Sequence, residues 1–195
     1  MTLQTKHDGK QLYDVEKVRR EARQSIEEGA VTKDYPLDLD RALSLLNEAL
    51  ATEIVCVLRY RHHEVTAKGI DSPQVAAEFA EHAEVEQKHM MALAERIDQL
   101  GGNPELDPAL VAKRSATEYG KATTLTEMVK DDLVAERVVI EIYRRLVGWF
   151  GNGDPTTRRL VEQILADEEE HANELADLLA AIDPGAEPVK RIHSS

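Results

Sequence analysis

Cysteine and aromatic residues are scarce in this 195-residue chain, and each scarcity excludes a class of structure. With a single cysteine, Cys56, the chain has no intrachain disulfide and no Cys-x-x-Cys metal ribbon. Aromatic residues make up only 4% of the sequence, and strand-like alternation of polar and apolar residues is almost missing. Together with the many Ala, Leu and Glu residues, this composition predicts an all-α protein.

Long apolar runs and positive charge are also lacking. No apolar run approaches the ~20 residues that cross a bilayer, and the N-terminus has no signal-peptide pattern, so we expect a cytoplasmic protein without a membrane segment. The formal net charge is −13, whereas DNA binding needs clustered positive charge. DNA binding is therefore not expected, and the acidic composition is compatible with cation handling.

Four long helices follow from the apolar periodicity and from the residues that start and stop helices. We predict them over about residues 39–68, 72–100, 125–150 and 154–182. Short turns containing glycine join the first two and the last two, whereas residues 103–124 form a long connection with a short helix near 108–115. Two short turns and one long connection predict a four-helix bundle with one long crossover between helices 2 and 3.

The bundle is expected to occupy residues 37–182. Residues 1–36, with seven Lys or Arg against seven Asp or Glu, form an N-terminal extension that is not a basic arm. We predict a short helix over residues 15–28 and interpret the extension as a docking or subunit-contact segment. The C-terminal tail, residues 183–195, has two prolines and no helical pattern, so we expect it to be flexible.

Two Glu-x-x-His motifs interrupt the apolar faces of the second and fourth helices. They are Glu86 with His89, and Glu168 with His171. One such motif arises by chance in a chain this rich in Glu, and a surface acidic run with a solvated His would explain it. Buried carboxylate and imidazole groups are costly unless a charged group receives them. The second copy of the motif favours a metal site over the surface interpretation.

The motifs belong to an internal quasi-repeat. Glu53 precedes Glu86 by 33 residues, and Glu136 precedes Glu168 by 32. Counted from the turns at ~1.5 Å per residue, all four carboxylates come near mid-height of the bundle. Seven residues after the first glutamate of each half stands a tyrosine on the same helix face; these are Tyr60 and Tyr143.

Four carboxylates in a low-dielectric core cannot all ionise without positive charge between them. Two divalent cations supply that charge, and two histidines complete a nitrogen-and-oxygen shell suited to iron or manganese, a choice that the ligand types leave open. We predict that Glu86 and Glu168 bridge the two ions. The terminal ligands are then paired as Glu53 with His89 and Glu136 with His171.

At these residues the chain resembles the ferritin-like superfamily, and in particular bacterioferritins and the Dps-like proteins related to them. LLNEALATEIVCVLRYR, EVEQKH, DLVAER and ILADEEEH are similar to the four bacterioferritin metal-helix motifs, within about residues 38–182. The resemblance implies a ferroxidase centre with two iron ions per subunit. There Fe(II) is oxidised by dioxygen or peroxide, and ferric mineral is stored in a hollow shell. Tyr60 corresponds to a tyrosine near that centre, where it would donate electrons or a hydrogen bond, or simply pack in the core.

Departures from the family pattern refine these expectations. The haem-binding Met of bacterioferritins corresponds here to Gln87, so no haem is expected. No apolar fifth helix follows the fourth, which favours a cage of 12 subunits over one of 24. Cys56 does not reproduce the cysteine pair of some Dps-like relatives. Typical Dps proteins bind iron between subunits, whereas here one subunit supplies every ligand.

Two other functions compete with iron storage. A di-metal catalase or peroxidase on the same bundle, similar to manganese catalase or rubrerythrin and without mineral storage, is the alternative. The cysteines of a rubredoxin module are missing, which weakens the rubrerythrin version, while manganese catalase stays open. A DNA-coating Dps protein needs a basic tail, and neither terminus has one.

Several remaining residues receive a structural interpretation. His82, one turn before Glu86, is read as a surface or satisfied core histidine, with contact to the metal ligands as the alternative. Cys56 is read as a small core residue. Surface positions are expected for His62 and His63, and packing at a helix end for Trp149 and Phe150.

Overall fold

The computed structural model describes residues 12–24 and 26–183, and all regular structure in these ranges is helical. Residues 184–195, and with them nearly all of the tail expected to be flexible, lie outside the described ranges. The six α-helices are α1 (Val15–Glu21), α2 (Leu39–Thr66), α3 (Ser72–Gln99), α4 (Pro108–Arg114), α5 (Leu125–Phe150) and α6 (Pro155–Ile182). A 3₁₀ helix, Ile26–Glu28, lies between α1 and α2. The all-α prediction is confirmed.

The four long helices form two packed pairs. Helix α2 packs on α3, and α5 packs on α6, because each pair is joined by a short turn. The pairs meet through contacts of α2 with α5 and of α3 with α6. The long link between α3 and α5 carries α4, which packs against α2. This is the predicted four-helix bundle with one long crossover. In the described ranges, no helix is both long enough and apolar enough to cross a membrane.

Local sequence signals fix the helix ends. The side chain of Asp154 accepts a hydrogen bond from the backbone N–H of Thr157, and Pro155 occupies the first turn of α6. Helix α5 begins with a capping box in which Thr124 and Glu127 each bind the other's backbone N–H. After α3 the chain turns through Gly101 at φ +77°, a conformation that side chains with a Cβ rarely adopt.

The N-terminal helix is shorter than predicted, since α1 ends at Glu21 rather than near residue 28. The segment that follows lies on the bundle: Val31 and Tyr35 are partly buried against the apolar core. The Tyr35 hydroxyl donates a 3.0 Å hydrogen bond to Oδ2 of Asp154. The same oxygen accepts a 3.0 Å hydrogen bond from Arg96 Nη2. This segment therefore contacts the start of α6.

Two apolar clusters fill the bundle interior, one toward each end. The first includes Leu46 and Leu50 of α2, Leu93 and Ile97 of α3, Leu146 and Phe150 of α5, and Ile164 of α6. The second includes Val75 and Phe79 of α3, Met128 and Val129 of α5, and Leu175 of α6. Between the two clusters, each long helix carries a buried acidic residue. The fold thus places a polar layer between two apolar ones.

Candidate metal centre

The six side chains predicted as ligands meet in this polar layer. All are buried, with at most 5% of the residue exposed. Their potential ligand atoms form two groups, each spanning no more than 4.8 Å. Glu86 and Glu168 belong to both groups, as expected of bridging carboxylates. One group is completed by Glu53 and His89, and the other by Glu136 and His171.

Distances inside the cluster suit ligands that share a metal ion. His89 Nδ1 lies 3.1 Å from Glu168 Oε1 and 3.6 Å from Oε2 of both Glu53 and Glu86. His171 Nδ1 lies 3.4 Å from Glu86 Oε1 and 3.5 Å from Glu168 Oε2. Ligands bound to one ion at about 2.1 Å are separated by roughly 3 to 3.5 Å. The cluster therefore needs little rearrangement to hold two ions.

The atoms that face one another in this cluster have no hydrogen-bond partner. Nine buried side-chain polar atoms of the described residues lack one, and only one of them, Arg158 Nε, lies outside the six residues. The other eight are Glu53 Oε2, Glu136 Oε2, both oxygens of Glu86 and of Glu168, His89 Nδ1 and His171 Nδ1. Buried polar atoms are nearly always satisfied in proteins, so eight unsatisfied atoms in one place indicate that a cation belongs between them.

Two tyrosines hold the outer oxygens of the terminal glutamates, and each does so across the bundle. Tyr60 on α2 donates its hydroxyl proton to Glu136 Oε1 on α5. Tyr143 on α5 donates to Glu53 Oε1 on α2. Both tyrosines are buried, and each hydrogen bond leaves the second oxygen of its glutamate turned toward the cluster. The sequence repeat pointed to both tyrosines but not to this exchange of partners.

Asp167 is a neighbour of the cluster that no sequence motif marks as functional. Its Oδ2 lies 3.1 Å from His89 Nε2, so it can accept that N–H and leave Nδ1 as the lone-pair atom that faces the glutamates. A carboxylate behind a metal-binding histidine fixes its tautomer and ring orientation. Because Asp167 stands in a run of acidic residues, sequence alone favours a solvated surface position for it.

His82 is both a satisfied core histidine and a neighbour of the cluster. It is 1% exposed, and its ring stacks on that of His171 with a centroid separation of 4.0 Å. Its Nδ1 lies 3.2 Å from the Tyr60 hydroxyl, and its Nε2 lies 3.0 Å from Glu174 Oε2. Burial, together with the charge of His171, lowers the pKa of His82 to about 3.

Several residues of the cluster have shifted pKa values in the absence of a cation. Burial and then the charge of Glu86 raise the pKa of Glu53 well above its usual value. The pKa of Glu136 is likewise raised by burial and by the charges of Glu168 and Glu86. Burial lowers the pKa of His171, but the carboxylates of Glu168 and Glu86 outweigh it and raise the value to about 9. The metal-free cluster therefore retains protons, whereas two divalent cations would balance four carboxylates.

The expectation that His63 lies on the surface is wrong, although His62 is exposed as expected. His63 is 1% exposed, and its Nδ1 lies 2.8 Å from Asp132 Oδ2. Arg59 Nε donates to the other oxygen of Asp132 at 2.7 Å, and Arg59 Nη1 donates to the carbonyl of Glu118 at 2.9 Å. These charges are paired, so their burial is explained without a metal.

Comparison with known proteins bears on this geometry. The pattern of the ferritin-like domain matches residues 43–183, a range that holds all six clustered side chains. The chain belongs to the ferritin-like family. A bacterioferritin from Desulfovibrio desulfuricans is 28% identical to this ferritin-like chain over 132 residues, which cover 67% of the chain and 70% of the bacterioferritin.

Two further relatives show the range of the family. A nutrient stress-induced DNA-binding protein from a Synechococcus species is 33% identical over 138 residues, covering 69% of this chain and 78% of the relative. A solved structure described as a dodecameric thioferritin, the bacterioferritin-related protein of Bacteroides fragilis, is 30% identical with a TM-score of 0.74. It covers 80% of this ferritin-like chain and 94% of its own. The relatives thus include a bacterioferritin, a bacterioferritin-related protein and a stress-induced DNA-binding protein.

Proposed function

We propose that this chain oxidises Fe(II) at the buried cluster, with peroxide or dioxygen as oxidant, and stores the ferric product in a cage of identical subunits. The observation that carries the proposal is the convergence of eight unpartnered nitrogen and oxygen atoms. Their four carboxylates match the charge of two Fe(II) ions. Hard oxygen ligands with two imidazoles suit iron in both oxidation states.

The residues of the cluster would differ in how many ions of the substrate, Fe(II), they contact. Glu86 and Glu168 would each contact both Fe(II) ions, because their oxygens belong to both ligand groups. Two Fe(II) ions supply the two electrons that reduce one peroxide to two waters, with two protons taken from the surroundings. The apolar clusters on either side of the layer limit the access of water.

Side chains around the cluster would keep its geometry fixed during turnover. Tyr60 and Tyr143 hold Glu136 and Glu53 by their outer oxygens. Asp167 orients His89. Loss of contacts that hold the ligands in place lowers metal affinity by about 10- to 100-fold. Through its contact with Glu136, Tyr60 would also be close enough to donate an electron or a proton during the oxidation of Fe(II).

A cage of twelve subunits is the assembly we propose. The related thioferritin, 30% identical over most of its length, is described as dodecameric. Twelve chains of 21.8 kDa give a native mass of about 260 kDa, which light scattering distinguishes from a 24-subunit cage of about twice that mass. DNA coating is not part of the proposal, because the net charge of −13 opposes binding to phosphate.

The experiment that tests the function measures oxidation and storage on the same sample. Purified protein of known native mass receives Fe(II) anaerobically and then a pulse of peroxide or oxygen. We expect fast oxidation of two Fe(II) per chain, followed by hundreds of ferric ions held in solution per cage. Sustained peroxide breakdown without a soluble ferric core would instead support a di-metal catalase or peroxidase and overturn the storage proposal.

A further inference from the structure

A second group of metal-ligating side chains lies outside the six-residue cluster. Glu78 and His82 on α3 and Glu174 on α6 bring three ligand atoms within 4.8 Å of one another. His82 Nε2 lies 3.0 Å from Glu174 Oε2 and 3.6 Å from Glu78 Oε1. These separations match the roughly 3 to 3.5 Å expected between ligands of one ion. We call these three residues the outer site.

The hydrogen bonds of His82 favour one tautomer of its ring. In that tautomer the nitrogen that faces the outer site carries a lone pair. Tyr60 gives its proton to Glu136, so its oxygen is free to accept from His82 Nδ1–H, 3.2 Å away. A neutral imidazole with its proton on Nδ1 has a lone pair on Nε2. That lone pair points at the carboxylate of Glu174, also an acceptor. Two acceptors 3.0 Å apart need a proton or a metal ion between them, and the three ligand atoms of the outer site lie close enough together to share a metal ion.

The outer site is surrounded by carboxylates, and the charge of His171 acts on Glu174 in the opposite direction. The carboxylates of Glu78, Glu81 and Glu170 all lie close enough to Glu174 to act on it electrostatically. In residues 12–24 and 26–183, none of these four glutamates forms an ion pair with Lys or Arg. Such a concentration of one sign of charge attracts divalent cations from solution.

The six candidate ligands described above form what we call the inner cluster. The outer site lies between solvent and this inner cluster. The side chains of Glu78 and Glu174 are 32% and 44% exposed, while His82 is buried behind them. On its inner side the His82 ring stacks against His171, which belongs to the inner cluster. Three protein ligands with a solvent-exposed side leave a coordination position open, which is typical of sites whose ion exchanges.

We propose that Glu78, His82 and Glu174 form a third divalent-cation site, which holds one ion and supplies Fe(II) to the inner cluster. The supply role rests on the proposed function. Binding of the cation at the outer site does not, since it depends only on the three ligands and the negative charge around them.

Anaerobic calorimetry with Zn(II) as the probe tests the binding. Wild type should take up three ions per chain, and the Glu78→Gln/Glu174→Gln double variant should take up two. Glu81→Gln is the matched control, because it removes the same charge beside Glu174 from an exposed position of α3 and should keep three. Two ions in wild type, or three in the double variant, would overturn the outer site.

An inner-site variant separates this inference from the proposed function. Glu86→Gln/Glu168→Gln should retain the one ion of the outer site. If it retained three, the inner-cluster assignment would fail; if it retained none while circular dichroism showed an intact fold, the outer site would fail. Both outer carboxylates are partly exposed, so their replacement by Gln should leave the helix content unchanged.

Stopped-flow oxidation at limiting Fe(II) tests the supply role. Loss of the outer site should slow the fast phase about tenfold, the scale of electrostatic effects on ion capture, while two Fe(II) per chain are still oxidised. Glu95→Gln, which removes an exposed carboxylate farther along α3, should differ from wild type by less than twofold. An unchanged rate in the double variant would contradict the supply role and leave a separate cation site.

Discussion

The hydroxyl of Tyr143, on α5, donates a hydrogen bond to Glu53, on α2, across the centre of the bundle. Tyr60 makes the equivalent contact to Glu136, so the tyrosine of each half of the internal repeat holds a clustered glutamate of the other half. The two halves therefore build one site jointly. Each of the two groups of candidate ligands contains side chains from both halves of the chain.

Tyr143→Phe should weaken metal binding through Glu53 without removing a ligand. The variant leaves Glu53 Oε1 buried and unpartnered and lets the carboxylate rotate, so we expect about a tenfold loss of affinity for one of the two Co(II) ions. Anaerobic titration of Co(II) absorption measures it. Tyr119→Phe, which changes a 47% exposed tyrosine, is the control. Equal affinities in wild type and Tyr143→Phe would contradict a positioning role.

Asp167→Ala tests the carboxylate behind His89. The variant removes the acceptor that holds the His89 ring, so we expect about a tenfold loss of metal affinity. Gln163→Ala is the matched control, because Gln163 contacts the other oxygen of Asp167 at 3.0 Å and does not contact His89. If both variants bound metal equally well, Asp167 would have no part in orienting the ligand.

Much of the fold, and the clustering of the six candidate ligands, could be predicted from the sequence because both leave periodic signals. Asp-Pro pairs, glycine turns and apolar spacing set the helix bounds, and the 33- and 32-residue repeat pointed to the cluster. Contacts between distant charges have no such signal. The pairing of Asp132 with Arg59 and His63 depends on how α5 lies against α2, so sequence placed His63 on the surface. The sequence contains one weak indication that Asp132 is buried, because Asp132 lies one turn before Glu136 on the inward face of α5.

Breaking the Asp132 network should destabilise the bundle without changing its metal stoichiometry. Asp132→Ala leaves the buried guanidinium of Arg59 without its carboxylate, which costs about 3 to 5 kcal/mol. Chemical denaturation measures this loss, and metal titration should give the wild-type count. Arg61→Ala removes a partly exposed pair with Glu64 and should cost less than about 1 kcal/mol. Similar losses in both variants would argue against the buried network.

The metal-free chain should lose stability as pH rises from about 6 to 9. The pKa of His171 is raised to about 9, so its contribution is fully present below its unfolded value of ~6.5 and is lost as pH approaches 9. The raised pKa values of Glu53 and Glu136 act in the same direction, since the folded chain retains their protons. Thermal unfolding with EDTA should show the melting temperature falling across this range. A rise would contradict the assignment.

Metal should reverse that dependence. Bound cations compete with the protons of the cluster, so metal affinity should increase with pH. At a free metal concentration of 100 Kd, one site adds about 2.7 kcal/mol, which corresponds to roughly 5 to 10 °C in a chain of this size. Adding Zn(II) at about pH 7.5 should raise the melting temperature of wild type by up to about three times that amount, because the chain is proposed to hold three ions. Glu86→Gln/Glu168→Gln should keep only the smaller increase due to the outer site.

The most direct test of the central claim is stopped-flow oxidation of Fe(II), added anaerobically and then mixed with peroxide, in wild type and Glu168→Ala. Glu168 contributes to both ligand groups, so its loss should disable both ions at once. We predict a fast phase that accounts for two Fe(II) per chain in wild type and disappears in the variant. A fast phase of equal size and rate in Glu168→Ala would contradict the inner cluster as the site of oxidation.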